Sequence, residues 1–166
     1  MIKLINVGDW PVALEYNPRN NDIYVANRNS DTVSVIDSST NTVYDTISVG
    51  DRPFALKYNP SNNNDIYVAN FGSNDVSIIN SSSNREGEII EVGTQPIALE
   101  YNPSNNDIYV ANYNDDTVSV IDSSSNRVGE IIEVGTQPIA LKYNPSNNDI
   151  YVANFGSNDF FTISPR

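Results

Sequence analysis

The chain has 166 residues, a formal net charge of −12, and neither cysteine nor histidine. The acidity argues against nucleic acid and anionic membrane surfaces, both of which attract basic patches. The composition removes disulfides, thiolate chemistry, the commonest general base and the commonest transition-metal ligand. No stretch approaches the ~18 apolar residues of a membrane-spanning helix, so no membrane insertion is expected.

The chain opens with Ile2–Val7, a short β-prone run that lacks the long apolar core of a signal peptide. It matches the run before each later Val-Gly, as in Thr46-Ile47-Ser48-Val49-Gly50, and is expected to be a strand of the fold. Four repeats follow. Tyr-Val-Ala-Asn begins at Tyr24, Tyr67, Tyr109 and Tyr151, with spacings of 43, 42 and 42 residues. Val-Gly keeps step at Gly8, Gly50, Gly93 and Gly135. A period near forty with several short strands per period marks a β-propeller or a related array.

The third repeat shows the unit. Pro96–Tyr101, Asp107–Asn112, Thr117–Asp122 and Val128–Val134 read as strands, rich in β-branched and aromatic residues. The intervening segments are clusters of Asn, Pro, Ser and Asp, which favour turns. No helical apolar period occurs. Four strands per unit describe a propeller blade, with strands A to D from inside to outside. One all-β domain over 1–166 is expected. Blade 1 spans about 10–49, blade 2 about 52–92, blade 3 about 95–134, and blade 4 about 137–163 completed by the N-terminal strand 2–7.

The linked segments Val-Gly-x-x-Pro, Tyr-Asn-Pro, Tyr-Val-Ala-Asn and Val-Ser-Val-Ile-Asp resemble the YVTN family of β-propeller repeats, over nearly the whole chain. The resemblance implies surface-layer and other cell-surface proteins of archaea and bacteria. More distant seven-bladed relatives are lactonase-like and lyase-like enzymes. Departures are Ala for Thr in the motif, the number of units, and the divergent end Phe160–Arg166. Few lysines and many Asn, Ser, Thr and Tyr suit a prokaryotic cell surface, with the export signal removed or belonging to a longer parent.

Closure admits a four-bladed monomer, an eight-bladed ring of two chains, or a piece of a longer parent. Glu15, Lys57, Glu100 and Lys142 occupy one position of strand A and alternate in sign. An even ring preserves that alternation as inter-blade ion pairs, which favours the homodimer or the monomer. Residues 84–112 and 126–154 differ at two of 29 positions, so strands can exchange partners and swapped assemblies are realistic.

Candidate binding residues lie where the repeats disagree. The D–A loops carry Asp9, Trp10, Asp51 and Arg52, and the B–C loops carry Arg28, Phe71, Tyr113 and Phe155. Trp and Arg dominate binding hot spots. These residues would form a ligand platform at one channel mouth for a protein, peptide or carbohydrate, set against drift between duplicated loops that pack on their neighbours. The Asn/Asp-rich turns, such as 62–65 and 114–116, are read as turn formers and not calcium sites. The Asp that starts each B strand (Asp22, Asp65, Asp107, Asp149) is expected to bond turn N–H groups. The Asn of each motif is expected to cap its strand, and the Gly of each Val-Gly to permit an unusual φ. No catalytic residue, metal site or cofactor is expected. The leading reading is therefore a non-enzymatic scaffold or interaction module. The alternatives are a lactonase- or lyase-like enzyme using carboxylates and a divalent cation, and a truncated or engineered fragment without its own activity.

Overall fold

In the computed structural model every hairpin within a blade turns on Asn or Asp. The structure describes residues 2–61 and 64–165. Blade 1 contains β1 (Pro11–Asn17), β2 (Asp22–Asn27), β3 (Thr32–Asp37) and β4 (Thr42–Ser48). Blade 2 contains β5 (Pro53–Tyr58), β6 (Ile66–Asn70), β7 (Asp75–Asn80) and β8 (Arg85–Glu91). Blade 3 contains β9 (Pro96–Asn102), β10 (Asp107–Asn112), β11 (Thr117–Asp122) and β12 (Arg127–Glu133). Blade 4 contains β13 (Pro138–Tyr143), β14 (Ile150–Asn154) and β15 (Asp159–Ile163). Each blade is an antiparallel meander in chain order, the architecture of a β-propeller.

The turns explain the abundance of Asn. In blade 1, Asn21, Asp31 and Asn41 close the three hairpins with φ of 67°, 53° and 55°. Asn and Asp tolerate this left-handed region better than other side-chain-bearing residues. Turn-starting residues then bond the backbone two positions on, as Asn17 Oδ1 accepts from Arg19 N at 2.9 Å. Of the 62–65 turn, Asn62 and Asn63 lie outside the described residues.

Packing between blades repeats one interface three times. The forward face of blade 1 offers Tyr24, Ala26, Val33, Val35 and Ile47; the rear face of blade 2 answers with Leu56, Ile66, Val68 and Ile79. Equivalent residues join blade 2 to blade 3 and blade 3 to blade 4. Alternation along each strand sends Tyr and Ala of the motif forward and Val backward. Each fully buried aliphatic side chain contributes about 1.5–3 kcal/mol, so these interfaces hold the array together.

Of the closures left open by the sequence, completion of the ring and of blade 4 within one chain is not seen. Residues 2–7 form no strand, and the fourth sheet ends at β15 with three strands. The four blades also do not close into a ring within one chain. Leu56, Leu99 and Leu141 are 7–9% exposed on their rear faces, whereas the equivalent Leu14 is 68% exposed. No preceding blade covers it. A strand needs a hydrogen-bonding neighbour as well as a suitable pattern, and the edge of β15 is not beside residues 2–7.

The Val-Gly glycines serve a different purpose from the one expected. None has a positive φ. They give space instead: a Cβ on Gly8 would lie 2.7 Å from Asn27 Cγ, and one on Gly93 2.6 Å from Asn112 Cγ. The motif Asn is therefore packed beneath the crossover from the preceding blade. It does not cap its strand; Asn27 Nδ2 donates to Ser34 Oγ at 2.9 Å and to Thr32 Oγ1 at 3.2 Å.

Candidate functional site

The rim that carries the D–A and B–C loops is built from a repeated clasp. In blade 1, Arg28 N donates to Trp10 O at 3.0 Å and Asn29 N to Asp9 O at 3.2 Å. In blade 2, Phe71 N donates to Arg52 O and Gly72 N to Asp51 O. Blades 3 and 4 repeat this with Tyr113 on Gln95 and Phe155 on Gln137. The clasp forces the D–A residue into the left-handed region, with φ of 55° at Trp10 and 53° at Arg52. Holding a bulky residue there costs about 1–2 kcal/mol, which the paired loops offset.

A second bond links neighbouring blades. Arg52 N donates to Asp31 Oδ1 at 2.8 Å, Gln95 N to Asn74 Oδ1 at 2.9 Å, and Gln137 N to Asp116 Oδ1 at 2.8 Å. The rim is thus a rigid platform, and only its side chains vary.

On this platform the repeats diverge most between blades 1 and 2. The Arg28 guanidinium lies 5.3 Å from the Trp10 ring centroid, 5.5 Å from Phe54 and 5.4 Å from Phe71. These are cation–π distances. Phe54 and Phe71 also contact each other at 5.9 Å. Beside this cluster is a polar hollow of about 540 Å³, lined by Arg28, Asn29, Asp31, Asp51, Arg52 and Gly72. Neither Arg28 nor Arg52 makes an ion pair among the described residues, and Arg28 Nε is buried without a hydrogen-bond partner. Two guanidiniums with donors to spare, next to a Trp that is 59% exposed, can stack on a flat ligand face and bond its oxygens.

Of the sequence-predicted residues, Trp10, Arg28, Arg52, Asp51 and Phe71 come together here. Asp9 serves the clasp, and its N–H donates to Ser30 Oγ. Tyr113 and Phe155 occupy equivalent places on blades 3 and 4, outside the hollow. Phe54 and Asp31 were not anticipated. Phe54 carried a signal: its counterparts after the loop proline are Val12, Ile97 and Ile139. Asp31 was disguised as an ordinary turn former.

The shifted carboxylates lie elsewhere. Burial pushes Asp65, at the A–B turn of blade 2, up to about 6, against the opposing bond from Ser81 N–H. That bond, and Tyr44 Oη donating to Asp22 Oδ2 at 2.6 Å, give the B-strand aspartates structural partners. Burial also pushes the Tyr24 hydroxyl up to about 12. On the inner strands, Glu100 bridges Lys57 at 3.0 Å and Lys142 at 3.2 Å. The alternating charges on strand A do form inter-blade pairs around Glu100. Glu15 instead accepts from Tyr58 N at 2.9 Å.

Comparison with known proteins yields the fold alone. No family model matches the chain, and no curated protein matches it. Among solved structures, hydrazine synthase of Kuenenia stuttgartiensis superposes with a TM-score of 0.86 at 20% identity, over 98% of this chain and 48% of that one. A protein of unknown function from Bacteroides caccae superposes with a TM-score of 0.69 at 14% identity, over 93% of this chain and 63% of that one. The chain therefore spans about half the length of the first structure it resembles.

Proposed function

We propose that this chain is a non-enzymatic propeller module of the YVTN type, from a prokaryotic cell-surface protein, that binds a protein, peptide or carbohydrate at its variable rim. One observation carries the reading. Arg28, Arg52 and Trp10 depart from the repeat, and they converge on one hollow and one aromatic cluster. Drift alone has no reason to gather departures from separate loops.

The mechanism is presentation. Backbone clasps hold the loops in place before binding, so little loop ordering opposes association. Trp10 supplies a stacking surface, the Arg28 and Arg52 guanidiniums supply forked donors, and Asp51 and Asn29 supply acceptors around the hollow. This mixture suits the hydroxyls of a sugar or the carbonyls of an extended peptide. Because the whole chain is strongly acidic, electrostatic steering would disfavour highly anionic ligands.

Glycan- and peptide-array binding tests the reading, followed by calorimetric titration of the best ligand. Trp10→Ala and Arg52→Ala should each weaken binding by at least about tenfold, the scale of a hot-spot residue. A ligand indifferent to both changes would place recognition elsewhere.

A further inference from the structure

The two ends of the array carry the two halves of an interface that the chain makes three times internally. The rear face of blade 1 is apolar and open at Val12 and Leu14. Ile5, Val7, Val12, Leu14, Val25 and Ile36 border a cavity of about 420 Å³ there. Ile5 stands three residues before Gly8, as Ile47 stands before Gly50 and Ile90 before Gly93. Ile47 and Ile90 are the outer-strand members of the internal interfaces. Residues 2–7 thus lie against blade 1 in the place that the outer strand of a preceding blade holds at the internal interfaces.

Blade 4 supplies the complement. It has inner strands and no outer strand. Its forward face is bare: Ala153 is exposed although Ala26, Ala69 and Ala111 are fully buried, and Phe160 is 68% exposed where Val33, Val76 and Val118 are fully buried. Two polar features are also unfinished. The N–H groups of Arg52, Gln95 and Gln137 each reach an Asp or Asn of the preceding blade; for Trp10 the corresponding residue is Asn158. Lys142, 77% exposed at its side chain, occupies the place beside which Glu15 would continue the alternation of charge.

We infer that two copies of this chain close head to tail, twice, into an eight-bladed ring in which residues 2–7 of each copy become the outer strand of the other's blade 4. The register follows from the internal pairs Val33↔Ile47 and Val118↔Ile132. It places Ile5 opposite Phe160 and Asn6 opposite Asp159. Closure removes the open edge of β15 and covers Leu14. It also sets Trp10 beside Phe155 of the second copy, in the positions that Arg52 and Arg28 hold between blades 2 and 1. The ring would therefore carry two kinds of rim site: polar hollows within each chain and aromatic ones at the seams.

Sedimentation equilibrium of the 166-residue chain should give twice 18.3 kDa, and Leu14→Asp should reduce it to one chain while the far-UV spectrum stays β-type. A second measurement does not depend on that variant. The natural chain has no cysteine, so Ile5→Cys with Phe160→Cys should oxidise to a covalent dimer, and each single variant should not give the same doubly linked species. A monomer at all micromolar concentrations would overturn the proposal. So would an open multimer larger than two chains, or a dimer insensitive to Leu14→Asp and refractory to the cross-link.

Discussion

Leu99 and Leu14 occupy the same position of the repeat and live in different environments. Leu99 is 8% exposed between blades 2 and 3, whereas Leu14 is 68% exposed at the start of the array. The residue is the same, so the difference comes from the neighbour. A blade is an incomplete unit: its sheet satisfies its backbone, but its two faces need other blades. Stability in such arrays is approximately a sum of repeat terms and nearest-neighbour interface terms, and this chain has three interfaces and two unmatched faces.

The sharpest way to break that comparison is truncation of both leucines. Leu99→Ala should destabilise the chain by about 3 kcal/mol, within the range for buried Leu→Ala changes. Leu14→Ala, measured on single chains at high dilution, should cost less than about 0.5 kcal/mol. Urea denaturation of both variants decides it; equal losses would mean that the rear face of blade 1 is covered within one chain.

A second contrast separates two glycines. Gly93→Ala brings a Cβ against Asn112 Cγ and should cost about 2 kcal/mol by overpacking. Gly129, in the outer strand of blade 3, has nothing within 4 Å of the same added atom. Gly129→Ala should be neutral or stabilising by up to about 1 kcal/mol. Thermal melts of the two variants measure the difference.

Asp65 sharpens the comparison of equivalent aspartates. Its carboxyl is pushed up to about 6 by burial, so the folded state binds the proton more tightly than the unfolded chain. The stabilisation is complete below about pH 4 and is lost as pH rises through about 6. Asp65→Asn should therefore raise stability at pH 7 by about 1–2 kcal/mol and change it little at pH 4. Burial also pushes the carboxyl of the equivalent Asp107 in blade 3 up, so Asp107→Asn should raise stability at pH 7 in the same direction. The smallest effect is expected at Lys142, whose exposed pair with Glu100 should contribute at most about 1 kcal/mol; Lys142→Met, followed by denaturation in low and high salt, tests it.

Most of the scaffold was legible in the sequence because it is written four times. Asp107–Asn112 and Thr117–Asp122 have the bounds read from the sequence, and β12 is displaced by one residue from the expected Val128–Val134. What was not legible depends on neighbours. Ile2–Val7 has a strand's pattern without a partner strand beside it in this chain. The Val-Gly glycines looked conformational, but their reason is the Asn packed against them, which lies 19 residues away at Gly8 and Asn27. At the rim, Trp10, Arg28 and Arg52 stood out as departures from the repeat. Phe54 was overlooked because Phe, Val and Ile all suit a strand, although only an aromatic ring can hold Arg28 from below.

Amide hydrogen exchange at residues 3–6 tests the central claim most directly, that the ends of the array are one more copy of its internal interface. The account predicts slow exchange at Leu4 and Ile5, comparable to Thr46 and Ile47 in β4, at concentrations where two chains associate, and its loss in Leu14→Asp. Exchange at unprotected rates in a sample that sediments at twice the chain mass would contradict it.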